Sequence, residues 1–181
     1  GHNSMSKYFQ TTTLKKDCKI ISFEPNAQKS KLRNHQIIKN FFDYKSVELN
    51  NIKDCNIVVH SHLFEHIYDP VKFLRLIKKV LKKGGHNIFS IPNIKKMIQN
   101  NQSNAMNFEH PYFLEEDLVD QLLRGCGFKI IKKKYFKNHS IFYKTQSINK
   151  IQKINYFKFN KNFSFFKKYQ KRINLDIKNI N

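Results

Sequence analysis

The sequence predicts an α/β domain built on a mostly parallel sheet. Three observations carry that prediction. Short apolar runs alternate with stretches of helical periodicity from Lys19 to about Thr145. The run Cys55-Asn56-Ile57-Val58-Val59 is long enough for one buried strand and ends in the polar cluster His60-Ser61-His62, ahead of a new helix start at Asp69-Pro70. Glycine pairs and Pro-Asn steps punctuate the pattern at Gly84-Gly85, Pro92-Asn93, Gly125 and Gly127. In open α/β sheets ligands bind where strands end and loops begin, so the stretch Asp54 to Pro70 is where chemistry is expected.

Composition narrows the class. At 181 residues the chain fits one ordinary domain with a real core. Plentiful periodic aliphatic and aromatic residues exclude a disordered chain. No apolar run is long enough for a transmembrane span, no signal peptide is evident, and a cytoplasmic location is expected. Cys18, Cys55 and Cys126 lie far apart without metal-ligand spacing and read as buried reduced thiols. The formal net charge of +21 resembles a nucleic-acid signal. Lysine supplies most of it, however, and only Arg33, Arg75, Arg124 and Arg172 offer the bidentate fork suited to phosphate and guanine. A basic face that attracts anionic substrates fits this balance.

The elements follow in order. Gly1-His2-Asn3-Ser4 reads either as a tag scar or as the end of a glycine-rich loop, and Met5 to Thr12 as a short helix. Lys19 to Phe23 is a strand ending at Glu24-Pro25-Asn26. Glu24 then stands at a strand tip, either as a solvated turn acid or as an acceptor for ribose hydroxyls about 20 residues after a glycine loop. Residues 27–34 form a polar helical turn or short helix, and Gln36 to Phe42 a third strand candidate, with Phe41 and Phe42 either core or beside an adenine ring. From Asp69-Pro70, an N-cap with proline at the first helical position, a helix runs to about Lys83. Gly84-Gly85 ends it, and His86 to Ile91 is the next strand. Residues 94–108 read as a polar lid loop. A helix from about Leu114 to Arg124 carries Leu114, Leu118 and Leu122 on one face. Phe128 to Lys132 and Ser140 to Lys144 close the domain as a hairpin. The domain is placed at residues 1–146. The remainder, 147–181, is a basic and aromatic extension expected to pack on the domain or on a second copy of the chain.

This ordered set resembles the class I S-adenosylmethionine-dependent methyltransferases, closest to the group with a Leu-Glu-His-like element after strand four. The matching residues are Phe23-Glu24-Pro25-Asn26, His62-Leu63-Phe64-Glu65-His66-Ile67-Tyr68-Asp69-Pro70, Leu81-Lys82-Lys83-Gly84-Gly85, Ser90-Ile91-Pro92-Asn93, Glu109-His110-Pro111-Tyr112-Phe113 and Gly127-Phe128. The resemblance covers about residues 1–145. It implies a Rossmann-like three-layer sandwich whose last strand is antiparallel, with S-adenosylmethionine as cofactor. Gly1 would be the last glycine of the family's first motif, most of which would precede it. Glu24, with Pro25 and Asn26, would hold the ribose, Phe41 and Phe42 would lie near the adenine, and His60, Ser61 and His62 would border the methionine end. Glu65 and His66 would support that loop.

Methyl transfer is an in-line displacement, for which the enzyme supplies position and a dry cavity. An oxygen acceptor also benefits from a base, and histidine suits that role near neutral pH. His110, beside Glu109, is the expected base; His62, at the strand tip, is the second candidate. His60, His62, Glu65 and His66 also mimic a metal cluster, because His60 and His62 alternate along an extended segment. The sheet-tip reading accounts for all four, so no metal is expected. The expected function is O-methylation of a small hydroxylated acceptor, a sugar or sugar nucleotide. The alternatives are a nucleic-acid methyltransferase using the basic tail, and a non-catalytic module.

Overall fold

The computed structural model describes residues 18–27, 34–102, 105, 109–111, 113–152 and 171. The chain divides into two compact units, residues 1–52 and 53–181. The expected helix at Met5 to Thr12, Gly1 and nearly all of the 147–181 extension lie outside the described residues.

In the first unit, β1 (Ile20–Phe23) pairs in parallel with β2 (His35–Ile38), Ile20 opposite His35. The ladder continues one residue past β1, where the Glu24 amide donates to the Ile38 carbonyl at 3.0 Å. The second strand is shorter than the sequence suggests and stops before Phe41 and Phe42. Helix α1 (Tyr44–Leu49) then begins where Asp43 Oδ1 accepts the Ser46 amide at 2.6 Å, a side-chain cap that competes with continued strand.

The second unit holds a four-stranded sheet in the order β3-β4-β6-β5. These are β3 (Cys55–Ser61), β4 (Leu81–Pro92), β5 (Phe128–Phe136) and β6 (Ser140–Ser147). β3 and β4 are parallel, and β6 is antiparallel to both its neighbours. An α/β sheet with an antiparallel last strand is what the sequence predicts.

Helix α2 (Pro70–Val80) links β3 to β4. Asp69 Oδ1 caps it by accepting the Lys72 amide at 2.8 Å, and Pro70 starts it with a ring already set at helical φ. Phe73, Leu74, Leu76, Ile77 and Val80 form its buried face. The helix ends at Val80, three residues earlier than expected from sequence. Leu81 is already extended and pairs with Cys55. Gly84 then takes φ +74, and a Cβ on Gly85 would meet the Lys82 carbonyl at 2.9 Å and the Cys55 carbonyl at 3.1 Å. The glycine pair therefore bends the strand into the sheet rather than ending the helix.

The expected lid is in part core. Residues Ile94–Gln99 form helix α3, started by Asn93 Oδ1, which accepts the Lys96 amide at 3.3 Å. Ile94, Met97 and Ile98 are buried with Ala105 and contact Phe113. The i, i+3, i+4 apolar spacing of these three residues outweighs the surrounding polarity. Helix α4 (Glu116–Gly125) buries Val119, Leu122 and Leu123 rather than Leu118. It is tied to the sheet by Lys133 Nζ, which donates to Glu116 Oε1 at 2.6 Å and Asp120 Oδ2 at 2.7 Å.

The core of the second unit is an aromatic stack. Phe89 lies between His60 and Tyr143, with ring centroids 4.9 Å away on both sides and interplanar angles of 9° and 4°. Phe64 and Phe73 close it edge-on or offset.

Candidate active site

The C-terminal ends of β3 and β4 and the start of β6 meet at one end of the sheet. Ser61 pairs with Ser90, and Pro92 with Ser140. This register places Ser61 Oγ 2.7 Å from Ser90 Oγ and His62 Nε2 3.1 Å from Ser140 Oγ.

His62 leaves the strand with φ +46, in the left-handed region that costs an L-residue about 1–2 kcal/mol. Its amide, donating to the Ser90 carbonyl at 3.0 Å, holds it there. His60 and His62 consequently do not share a face, as an extended chain would require. His62 Nδ1 lies 3.2 Å from Glu65 Oε1, in a 3-10 turn spanning Phe64–His66. A carboxylate only accepts, so Nδ1 donates to Glu65, while Nε2 is hydrogen-bonded to the Ser140 hydroxyl. Ser140 Oγ is also hydrogen-bonded to His139 Nδ1 at 2.5 Å. One hydrogen-bonded chain thus links His139, Ser140, His62 and Glu65.

His60, expected to border the cofactor, is instead 8% exposed, its ring packed against Phe64, Phe73 and Phe89. Neither ring nitrogen has a hydrogen-bond partner. Burial pushes its imidazole down to about 3. The Asn87 side chain opposes that shift without a formed hydrogen bond. The unfolded chain therefore binds one more proton than the native state between pH about 6.5 and about 3. Stability from this group is complete above 6.5 and lost as pH falls toward 3, with a slope of up to about 1.4 kcal/mol per pH unit. Urea titrations from pH 7 to pH 4 should show this loss, and His60→Leu should flatten it; an unchanged slope would remove His60 as its cause.

Beyond the strand tip lies a second cluster. Glu65 is 1% exposed, and its Oε2 has no hydrogen-bond partner. His66 Nδ1 donates to the Glu109 carbonyl at 3.2 Å, and the His66 and His110 rings stand edge to face at 4.8 Å. His110 Nδ1 is buried without a partner. Burial first, then the neighbouring His66, lowers the His110 imidazole below its ordinary range, so the ring is neutral at pH 7 with its lone pair available.

In the first unit, Glu24 is half-buried at the tip of β1, followed by the Pro25-Asn26 turn. An acceptor-only carboxylate at a parallel strand tip fits a pair of ribose hydroxyls. Phe41 is 71% exposed, whereas Phe42 packs edge-on against Phe23 at 5.0 Å. An exposed ring can cover an adenine, while Phe42 is bound up in local packing. Sequence reading missed Ser90, His139 and Ser140. Ser90 lies 29 residues from Ser61 and Ser140 78 residues from His62, and only sheet register brings them there; His139 arrives as the chain neighbour of Ser140.

Residues 1–133 match the family model described as Methyltransferase domain. The chain belongs to the class I S-adenosylmethionine-dependent methyltransferase family. The methyltransferase fold recurs in a Listeria monocytogenes protein assigned as an S-adenosylmethionine dependent methyltransferase. It is 13% identical, with TM-score 0.56, over 71% of this chain and 80% of that one. A Haloferax volcanii methyltransferase, held with the Trm112 methyltransferase activator, is 11% identical with TM-score 0.52, over 66% of this chain and 65% of that one. A Thermotoga maritima methyltransferase is 15% identical with TM-score 0.42, over 52% of this chain and 57% of that one. The chain thus spans less than two thirds of the length of these last two relatives. No curated protein matches the sequence significantly.

Proposed function

We propose that this methyltransferase-family chain transfers the methyl group of S-adenosylmethionine to a hydroxyl of a small hydroxylated acceptor, a sugar or sugar nucleotide. The observation that carries the reading is the neutral His110, whose buried Nδ1 has no partner, beside the Glu65-His66 turn that follows the β3 tip. A neutral imidazole with an uncommitted nitrogen is suited to taking a hydroxyl proton as the oxygen attacks the methyl carbon. His62 holds the turn through Glu65 and is the second candidate for contact with the reacting groups. Glu24, Pro25 and Asn26 would hold the ribose and Phe41 would cover the adenine, with Ser61 and His62 at the methionine end. In this reading residues 1–146 form the catalytic core, and the 147–181 extension packs on it or on a second copy. No described helix is long and apolar enough to cross a membrane. The three free cysteines suit the reducing cytoplasm.

Calorimetry with S-adenosylhomocysteine, followed by a methylation assay over a panel of sugars and nucleotide sugars, tests the reading. Glu24→Ala is expected to weaken cofactor binding by about 10–100-fold, the loss of hydrogen bonds to a charged acceptor. Cofactor affinity that is absent, or unchanged by Glu24→Ala, would count against the assignment. A second reading, methylation of nucleic acid, draws on the +21 net charge and the exposed Lys129, Lys132 and Lys134 on β5. It requires RNA affinity that falls steeply with salt.

A further inference from the structure

We infer that Glu65, His66 and His110 form a binding site for a divalent transition-metal ion. Their candidate ligand atoms lie within 4.8 Å of one another. Around an ion with bonds of about 2.0–2.2 Å, ligand atoms in a tetrahedron stand roughly 3.3–3.6 Å apart. The closure needed is about an ångström at the ends of three side chains.

The surroundings point the same way. Glu65 is almost fully buried, and an unpaired buried carboxylate oxygen is costly. Its Oε1 receives the His62 Nδ1 proton, whereas Oε2 has no partner. His110 Nδ1, also buried, has none either. A cation would satisfy both atoms at once. The outer contacts are those of a prepared site. The Glu109 carbonyl accepts the His66 Nδ1 proton and so leaves the His66 lone pair on Nε2. His62, itself fixed by Ser140, orients the carboxylate.

Two imidazole nitrogens and one carboxylate oxygen favour zinc, manganese or a neighbouring first-row ion over magnesium, which prefers oxygen donors. Three protein ligands leave positions open. The site itself does not depend on the proposed reaction. Its role there rests on that reading: the open positions would take the acceptor oxygen, and His110 would serve as ligand rather than proton acceptor.

The test uses the full chain with neither cofactor nor acceptor, so its outcome is separate from that of methyl transfer. Calorimetry with zinc, manganese and magnesium chlorides, together with visible spectra on adding cobalt, should give one equivalent of transition metal and cobalt d–d bands. Glu65→Gln, His66→Ala and His110→Ala should each weaken binding at least tenfold. His62→Ala, removing an outer contact, should weaken it about 10–100-fold. His35→Gln, in the first unit, should leave it unchanged. Should the variants fail to fold, the wild-type imidazole resonances of His66 and His110 should broaden first as manganese is added. No binding, tighter binding of magnesium than of zinc, an affinity indifferent to all three ligand variants, or broadening confined to other histidines would each overturn the site.

Discussion

Replacing His110 with alanine should lower the methyl-transfer rate by about 10²–10⁴-fold, the usual contribution of a positioned acid or base. The imidazole is neutral because burial and the nearby His66 both disfavour the added proton. The active form is therefore present at pH 7 and is lost as pH falls through the lowered value. The acid limb of kcat should accordingly lie below about 6.5, the ordinary imidazole value, and should vanish in His110→Ala. A pH profile of both proteins measures this. A variant that retains the wild-type rate would remove His110 from the chemistry. The limb is common to both roles assigned to His110, since a ligand and a proton acceptor each need the neutral ring. Activity that is lost on chelation and restored by zinc or manganese selects the ligand role.

Phe89→Ala should destabilise the protein by about 3–5 kcal/mol, the range for deleting a buried aromatic ring. Phe89 is 1% exposed and is the middle member of the His60-Phe89-Tyr143 stack. It sits on β4, paired with His60 on β3 and Tyr143 on β6, so no single neighbour can move in to fill its space without breaking register. Urea unfolding should show a lower midpoint at unchanged m. A loss under about 1 kcal/mol would mean that the sheet collapses around the cavity more readily than this packing implies.

The local signals were legible where they depend on near neighbours. Asp69-Pro70 fixed a helix start because the cap and the proline act within one turn. The β3 strand and the closing hairpin were visible in their apolar runs, although both hairpin strands are longer than the sequence suggests. The end of α2 is not legible because Leu81, equally suited to a helix, gains a strand partner in Cys55. Residues 94–99 look like polar lid in the sequence because the three apolar residues spaced for one helix face lie among lysine and asparagine.

His60 shows the same boundary at the site. From sequence it is the first polar residue at a strand tip; in the fold it is a core ring between helix and sheet. Glu65, His66 and His110 were each visible as polar residues near expected loops, but nothing in a linear spacing of 44 residues joins His66 to His110. Side-chain identity and periodicity, which act over a few residues, determined the α/β class, the order of elements and the family resemblance. Register, the left-handed turn at His62 and the direction in which each polar group faces were decided only in the tertiary structure. They depend on contacts between segments distant along the chain, where packing selects among local conformations of nearly equal energy.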